Sequence, residues 1–412
     1  MPPAGSDRPE AAAADLADPL PLLERLRATP ELLAAVAAST AAALEHQKRL
    51  RECHDSQLVR AAIALHQARQ RAVGRFPAAE RLWLTGTGLE QATLWQVAQH
   101  KACRFAGCHP VADLCCGIGS DTAALSLQTE VLAIDQLASM VRRAGWNTEI
   151  LGRPDCFAGD RADVTARDWS GWWVHADPDR RAGRPRPTRR LAEYRPGLDW
   201  MLRLLATARG GGIKLGPASD WPQQCGTLPG CEVELTTAAG ECREATLWFG
   251  DLAGSLPRRA TNLDTGETLA GRPGGDRRRV AGRLGRFIAE PDPAVVRAGL
   301  VDLLAAEHGL ARVDSREDYL TGDTRPATGL LSLFAVEAVM PTGIKRLRQS
   351  LRPQPRRSYE IKCRRLSIAV ETVRRQLPRG DGPPAVVIFC LSNGQRRAVL
   401  GRRLSAAGDA NS

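Results

Sequence analysis

Residues 111–135 read VADLCCGIGSDTAALSLQTEVLAID, and the fold turns on this stretch. VADLC is a short apolar run broken by a glycine-rich turn, which is the pattern of a buried strand. Gly117 and Gly119 suit a sharp turn, because a residue without Cβ lets the chain bend and lets a ligand approach the backbone. Asp121 stands at a capping position for the helix that follows, and VLAID is a second strand ending in Asp135. Asp113 and Asp135 lie 22 residues apart, about one strand-to-strand crossover. A carboxylate at the end of that second strand can accept both hydroxyls of a ribose. A dinucleotide-binding turn shares these features but needs Gly or Ala at its third position for close helix packing. That position is Thr122, which counts against a dinucleotide.

Working outward, residues 109–250 alternate short apolar runs with helical stretches. The strand candidates are VADLC, VLAID, DCFAG, WWVHAD, GGIKLG, CEVELTT and EATLWFG. This rhythm predicts an α/β domain with a mainly parallel, Rossmann-like sheet. Upstream, residues 20–108 are rich in Ala, Leu, Gln and Arg with apolar residues at helical spacing, predicting a helical amino-terminal region. Residues 1–19 read as a disordered lead-in. Residues 251–286 gather Gly, Pro and Arg and predict a linker or excursion. A second alternation over residues 287–404 predicts a smaller α+β domain, and residues 405–412 a tail. Asn393-Gly394 between two strand-like runs is a type I′ hairpin signal.

Hydrophobic residues at 43% and charged residues at 25% are values of a folded globular chain, and no apolar run reaches the ~18 residues of a membrane span. The first twenty residues lack the basic start and apolar core of a secretory leader. Eleven cysteines without a C-x-x-C pair argue against a disulfide framework, so a cytoplasmic location with reduced thiols is expected. His100, Cys103, Cys108, His109, Cys115 and Cys116 crowd together but match no zinc spacing, so no metal is expected. Most tryptophans stand inside apolar periodic runs and predict core packing. A net charge of +11 favours an anionic partner such as nucleic acid.

With Asp113 four residues before Gly117 in D-L-C-C-G-I-G, the chain resembles the class I S-adenosylmethionine-dependent methyltransferases. The resemblance implies S-adenosylmethionine as cofactor. It places Asp113, Gly117 and Gly119 at the methionine end, Asp135 at the ribose and Asp160 at the adenine amine, with Asp121 beside the turn. The tract LEQAT, DLCCGIGSD, DPDRR, PTGIKRLRQSL and YEIKCRR further resembles a group of methyltransferases with a carboxy-terminal THUMP-like domain. THUMP domains bind RNA, so RNA is implied by analogy.

WWVHADPDRR delivers Asp177-Pro178 to the carboxyl edge of the sheet, where open sheets of this kind place their sites. Asp177 is the candidate for positioning the acceptor or accepting its proton. Amine-directed methyltransferases follow that acid with Pro-Pro and an aromatic ring, but Asp179, Arg180 and Arg181 stand here, leaving Tyr194 or Trp200 to supply a ring. Arg180, Arg181, Arg184, Arg186, Arg189 and Arg190 form a basic loop suited to a phosphate backbone. A second basic cluster runs from Lys345 through Arg346 and Arg348 to Arg365. The expected function is methyl transfer to structured RNA. Two alternatives stay open: an RNA-binding protein that keeps the fold as scaffold, and a methyltransferase acting on a protein or small molecule.

Overall fold

The computed structural model describes residues 19–38, 44–184, 186–224, 228–274 and 279–404. The expected lead-in, apart from Pro19, and the expected tail lie outside them. The chain forms two compact units: one runs up to Glu232 and takes in Thr246–Ser255, the other holds Val233–Ala245 and Leu256 onward.

The first unit begins with helices α1 (Leu20–Arg27), α2 (Pro30–Ala38), α3 (Leu44–Cys53) and α4 (Ser56–Ala72). Asp55 caps α4 by accepting from Gln57 N and Leu58 N. Short helices α5 (Gly86–Gln91) and α6 (Trp95–Ala102) follow, and a single 3-10 turn, Cys103–Phe105, leads to the sheet. Strands β1 (Val111–Leu114), β2 (Val131–Asp135), β3 (Phe157–Arg161), β4 (Trp173–Ala176) and β5 (Gly210–Leu215) lie in the order β3-β2-β1-β4-β5. Every pairing among these five is parallel. Helices α7 (Ser120–Ser126) and α8 (Ala138–Leu151) make the first two crossovers, and α9 (Leu198–Thr207) precedes β5. The winding reverses at β1, between β2 and β4, and in such sheets a crevice opens outside the carboxyl ends of those strands.

The helical region shares a core with the glycine turn and with α8, the helix that flanks the sheet. Leu23, Leu26, Leu32, Val59 and Leu65 pack in one cluster with Ile118 of the glycine turn and with Met140 and Trp146 of α8. Asn147 ties the two parts in polar terms as well, accepting from Trp83 N at 2.7 Å and donating to Trp83 O and to Ile118 O. Trp83 and Trp146 pack with ring centroids 4.8 Å apart and planes tilted by 60°.

In the second unit, β6 (Cys231–Ala238) enters from the boundary and β7 (Glu241–Gly250) returns across it. The sequence predicts residues up to 250 in the Rossmann-like domain, but Val233–Ala245 groups with the second unit. The reason is a ladder: β6 pairs in parallel with β8 (Arg258–Asn262), and the Thr261 hydroxyl donates to buried Glu234 at 2.6 Å. Residues 251–286 are likewise more than a linker. β8 and β9 (Glu267–Gly271) form an antiparallel hairpin closed around Asp264 and Gly266, hidden by the Gly, Pro and Arg around it.

Beyond this, β10 (Phe287–Pro291), α10 (Pro293–Ala298), α11 (Val301–Glu307), β11 (Ala311–Arg312), β12 (Leu320–Gly322) and β13 (Leu331–Pro341) follow in turn. Then come α12 (Ile344–Leu351), β14 (Tyr359–Cys363), α13 (Val370–Gln376), β15 (Ala385–Ser392) and β16 (Gln395–Arg403). The sheet order is β11-β12-β10-β13-β16-β15-β14, antiparallel except for β14 with β15. Asn393 and Gly394 both carry positive φ at the β15–β16 turn, as the hairpin signal predicts. No helix among the described residues is long and apolar enough to cross a membrane.

Candidate active site

The carboxyl edge of the first unit's sheet opens into a pocket of ≈ 340 Å³. Its wall comes from the turns after β1, β2, β3 and β4 and from the Gly88–Thr93 segment, with Arg195 and Pro196 at one side.

The glycine turn is held by its own geometry. Cys115 and Gly117 both take positive φ, and both line the pocket. A Cβ on Gly117 would meet nothing within 4 Å, so its open face belongs to the pocket. A Cβ on Gly119 would lie 2.5 Å from Ala144 Cα, so this glycine serves the close packing of the turn on α8. Asp135 fixes the turn from the next strand, accepting from Gly117 N at 3.1 Å and Leu137 N at 2.9 Å. Burial pushes its carboxyl above the usual range, and those two N–H bonds only partly oppose the shift.

Beneath the turn runs a buried polar network. Thr122 donates to Asp113, whose other oxygen lies 2.7 Å from His175 Nδ1. The far ring nitrogen, Nε2, is 3.1 Å from the Lys101 ammonium, which stands 2.9 Å from Asp121. A neutral imidazole donating from Nδ1 and accepting at Nε2 satisfies both contacts. Lys101 and His175 are 2% and 1% exposed. Thr93 donates to Asp121 at 2.6 Å. Burial pushes the Asp121 carboxyl up, but the Lys101 ammonium, with Lys214 and the Thr93 hydrogen bond, outweighs it and holds the group well below the usual carboxylate range. The threonine that argues against a dinucleotide turn therefore has a task of its own, partnering a buried acid.

The D-P-D turn after β4 completes the site. Lys214 of β5 donates to Asp177 at 2.6 Å and to the Gln91 carbonyl at 2.9 Å. Gln91 also donates from its side chain to Asp179 at 2.8 Å, so one residue of α5 braces both acids. Asp179 accepts from Arg181 N and Ala182 N as well, which commits it to shaping the turn. Burial raises Asp177, and Lys214 partly opposes the rise.

Among the residues singled out from the sequence, Gly117, Asp121, Asp135, Asp177 and Arg180 meet in the pocket. Three expected cofactor contacts do not. Asp113 sits behind the turn, bonded to Thr122 and His175. Gly119 is spent on α8. Asp160 lies inside β3 opposite Ile134 and pairs with Arg167 at the surface, while the strand's exit, Ala162–Thr165, lines the pocket. Asp121 does not cap α7, whose cap is Gly119. Tyr194 and Trp200 are buried, so neither offers a ring to a substrate. Gln91, Thr93, Lys101, His175 and Lys214 escape a motif search. Only His175 and Lys214 carry a signal, a lone ionisable residue inside an apolar strand, as in WWVHAD and GGIKLG.

The basic loop after Asp179 is partly neutralised. Arg181 pairs with Glu90, and Arg184 and Arg190 with Glu193. Arg186 and Arg189 are exposed. In the second unit, Lys345, Arg346 and Arg348 are exposed on α12 while Leu347 and Leu351 face the core. The rest of that cluster is largely paired, with Arg356 on Glu337, Lys362 and Arg364 on Glu290, and Arg365 on Asp318. The listening surface for an anion is thus narrower than the run of residues suggests.

Comparison with known proteins fits this geometry. Residues 331–403 match the THUMP domain-like family. Over 321 residues the chain is 38% identical to an uncharacterized S-adenosylmethionine-dependent methyltransferase found in two strains of Mycobacterium tuberculosis, covering 76% of this chain and 86% of the relative. A crystal structure of a candidate methyltransferase from Porphyromonas gingivalis W83 superposes with a TM-score of 0.75, covering 93% of this chain and 99% of that one, at 18% identity. The protein is an S-adenosylmethionine-dependent methyltransferase with a THUMP-like domain at its carboxyl end.

Proposed function

We propose that this enzyme methylates structured RNA, with Asp177 taking up the proton that the acceptor loses. The observation that carries the reading is one pocket lined by Gly117 and Asp135 on one side and by Asp177, Arg180 and Arg195 on the other. The residues fit the cofactor. Asp135 has lone pairs left beyond its two backbone bonds, enough to accept ribose hydroxyls. Leu137, Met140 and Val164 offer apolar contact for a purine, and Asp163 replaces Asp160 as the acid nearest it. Asp121, ionised on the pocket floor, replaces Asp113 as the anion for the methionine end.

When bound, the cofactor supplies an electrophilic methyl group on a sulfonium sulfur that keeps the C–S electron pair. The protein's part is alignment and electrostatics. Asp177 stands where β4 ends, and its raised affinity for a proton suits a base. Arg180 and Arg195 at the rim, exposed Arg186 and Arg189, and Lys345, Arg346 and Arg348 in the THUMP-like domain supply cations for phosphates. An RNA acceptor goes with a cytoplasmic enzyme. A protein or small-molecule acceptor is favoured by one observation, the neutralisation of Arg181, Arg184 and Arg190 by glutamates.

The test is transfer of labelled methyl from S-adenosylmethionine to total RNA from cells lacking the enzyme. Label in RNA, lost by ~10²–10⁴-fold in Asp177→Ala with cofactor affinity kept, is the expected result. Cofactor binding without label in RNA, together with RNA binding insensitive to salt, would turn the reading toward another acceptor.

A further inference from the structure

Lys214 takes no part in the cofactor contacts assigned above, yet it is a cation only 5% exposed at the pocket wall. A buried ammonium is retained against a large desolvation cost only where it is paired. Its partners are specific: Oδ2 of Asp177 at 2.6 Å and the carbonyl of Gln91 at 2.9 Å. Asp177 Oδ1 has no partner among the described residues, and the side chain is 25% exposed on the pocket.

We infer that Lys214 is a positioning residue for methyl transfer, pinning one oxygen of Asp177 through its ammonium so that the other is presented to the acceptor. The inference rests on the reading of Asp177 as the proton acceptor. The Gln91 carbonyl holds the lysine as well, and the side-chain amide of the same residue holds Asp179, so Gln91 is bonded to both the lysine and the D-P-D turn.

Charge supports the geometry. Asp177 faces Lys214 from β5, Lys101 from α6, Asp121 from α7 and the Cys115 thiol of the glycine turn. Lys101 is already engaged with Asp121. Lys214 is therefore the cation that opposes the rise which burial and a neighbouring carboxylate impose on Asp177. Without it, burial and Asp121 act together, Asp177 holds its proton to higher pH, and it no longer serves as a base there.

The experiment uses the full chain with aspartate carboxyl carbons labelled with ¹³C, Asp177→Asn supplying the assignment, and a pH titration of that carbon. In Lys214→Met the Asp177 midpoint is expected to rise by about 1–3 units, whereas Lys214→Arg keeps it within about half a unit. The acidic limb of labelled-methyl transfer to total RNA, read at saturating cofactor, should move with it. An unmoved midpoint in Lys214→Met, with Asp177→Asn still inactive, sinks the inference and leaves the reading of Asp177 standing. Wild-type transfer by Asp177→Asn removes both. Should Lys214→Met fail to fold, the Lys214 ¹⁵N signal of the wild-type protein must follow the Asp177 titration, and a signal that ignores it overturns the pairing.

Discussion

Beneath the pocket, Lys101, His175 and Lys214 each meet a carboxylate inside the protein, and each comes from a different element. In the loop between residues 180 and 190, which reaches the pocket through Arg180, stand six arginines, and three of them are tied to glutamates at the surface. The first region is a few scattered charges whose partners leave them no freedom. The second is a conspicuous run whose charge is half spent locally. Desolvation makes the difference: a buried pair is fixed because separating it exposes an uncompensated charge to a low dielectric, whereas a surface pair contributes about 0–1 kcal/mol and exchanges readily with water.

If that contrast is right, the largest effect comes from cutting the buried network. Lys101→Ala strands Asp121 and removes the donor to His175, and should cost about 3–5 kcal/mol in urea unfolding, as removing one partner of a buried pair does. A loss below ~1 kcal/mol, the scale of a surface pair, would erase the distinction.

Next comes acidity. Asp121 is held below its ordinary value of 3.8, so its stabilising contribution is full above that value and lost only as pH falls through the lower, folded-state value. Asp135 is shifted the other way, so it takes up its proton above 3.8 as the solution is acidified. Cofactor affinity should therefore fall on acidification while the fold is still intact, read by titration calorimetry beside circular dichroism. Simultaneous loss of both would mean that the two acids do not differ in this way.

The smallest effects belong to the loop. Arg186→Ala and Arg189→Ala should each weaken RNA binding and lower the salt slope by about one. Arg184→Ala, whose guanidinium is engaged by Glu193, should change both far less. Equal effects from all three would show that the glutamates yield to phosphate.

The same contrast explains what the sequence made legible. The run from Val111 to Asp135 announces strand, turn, helix and strand because each step is a local pattern, and the Asn393-Gly394 turn is equally local. The place of Asp135 and Asp177 on the pocket wall was readable because both stand where strands end at the carboxyl edge of the sheet. Asp160 misleads because it stands within β3, two residues before the pocket-lining exit, and its side chain goes to Arg167 instead. Asp113 misleads because an acid at the end of β1 can turn inward as well as toward a ligand, and His175 and Thr122 draw it inward. Lys214 and Gln91 meet only in space, being 123 residues apart, and no spacing rule reaches them. The hairpin at Arg258–Gly271 was obscured because turn-forming residues surround two short strands.

The most direct test of the account is titration calorimetry of S-adenosylmethionine against the wild-type protein and Asp135→Ala. The account predicts micromolar-order binding by the wild type and a loss of about 10–100-fold in the variant, the scale of hydrogen bonds to a charged group. Undiminished binding by a folded Asp135→Ala protein would contradict it and move the cofactor away from the glycine turn.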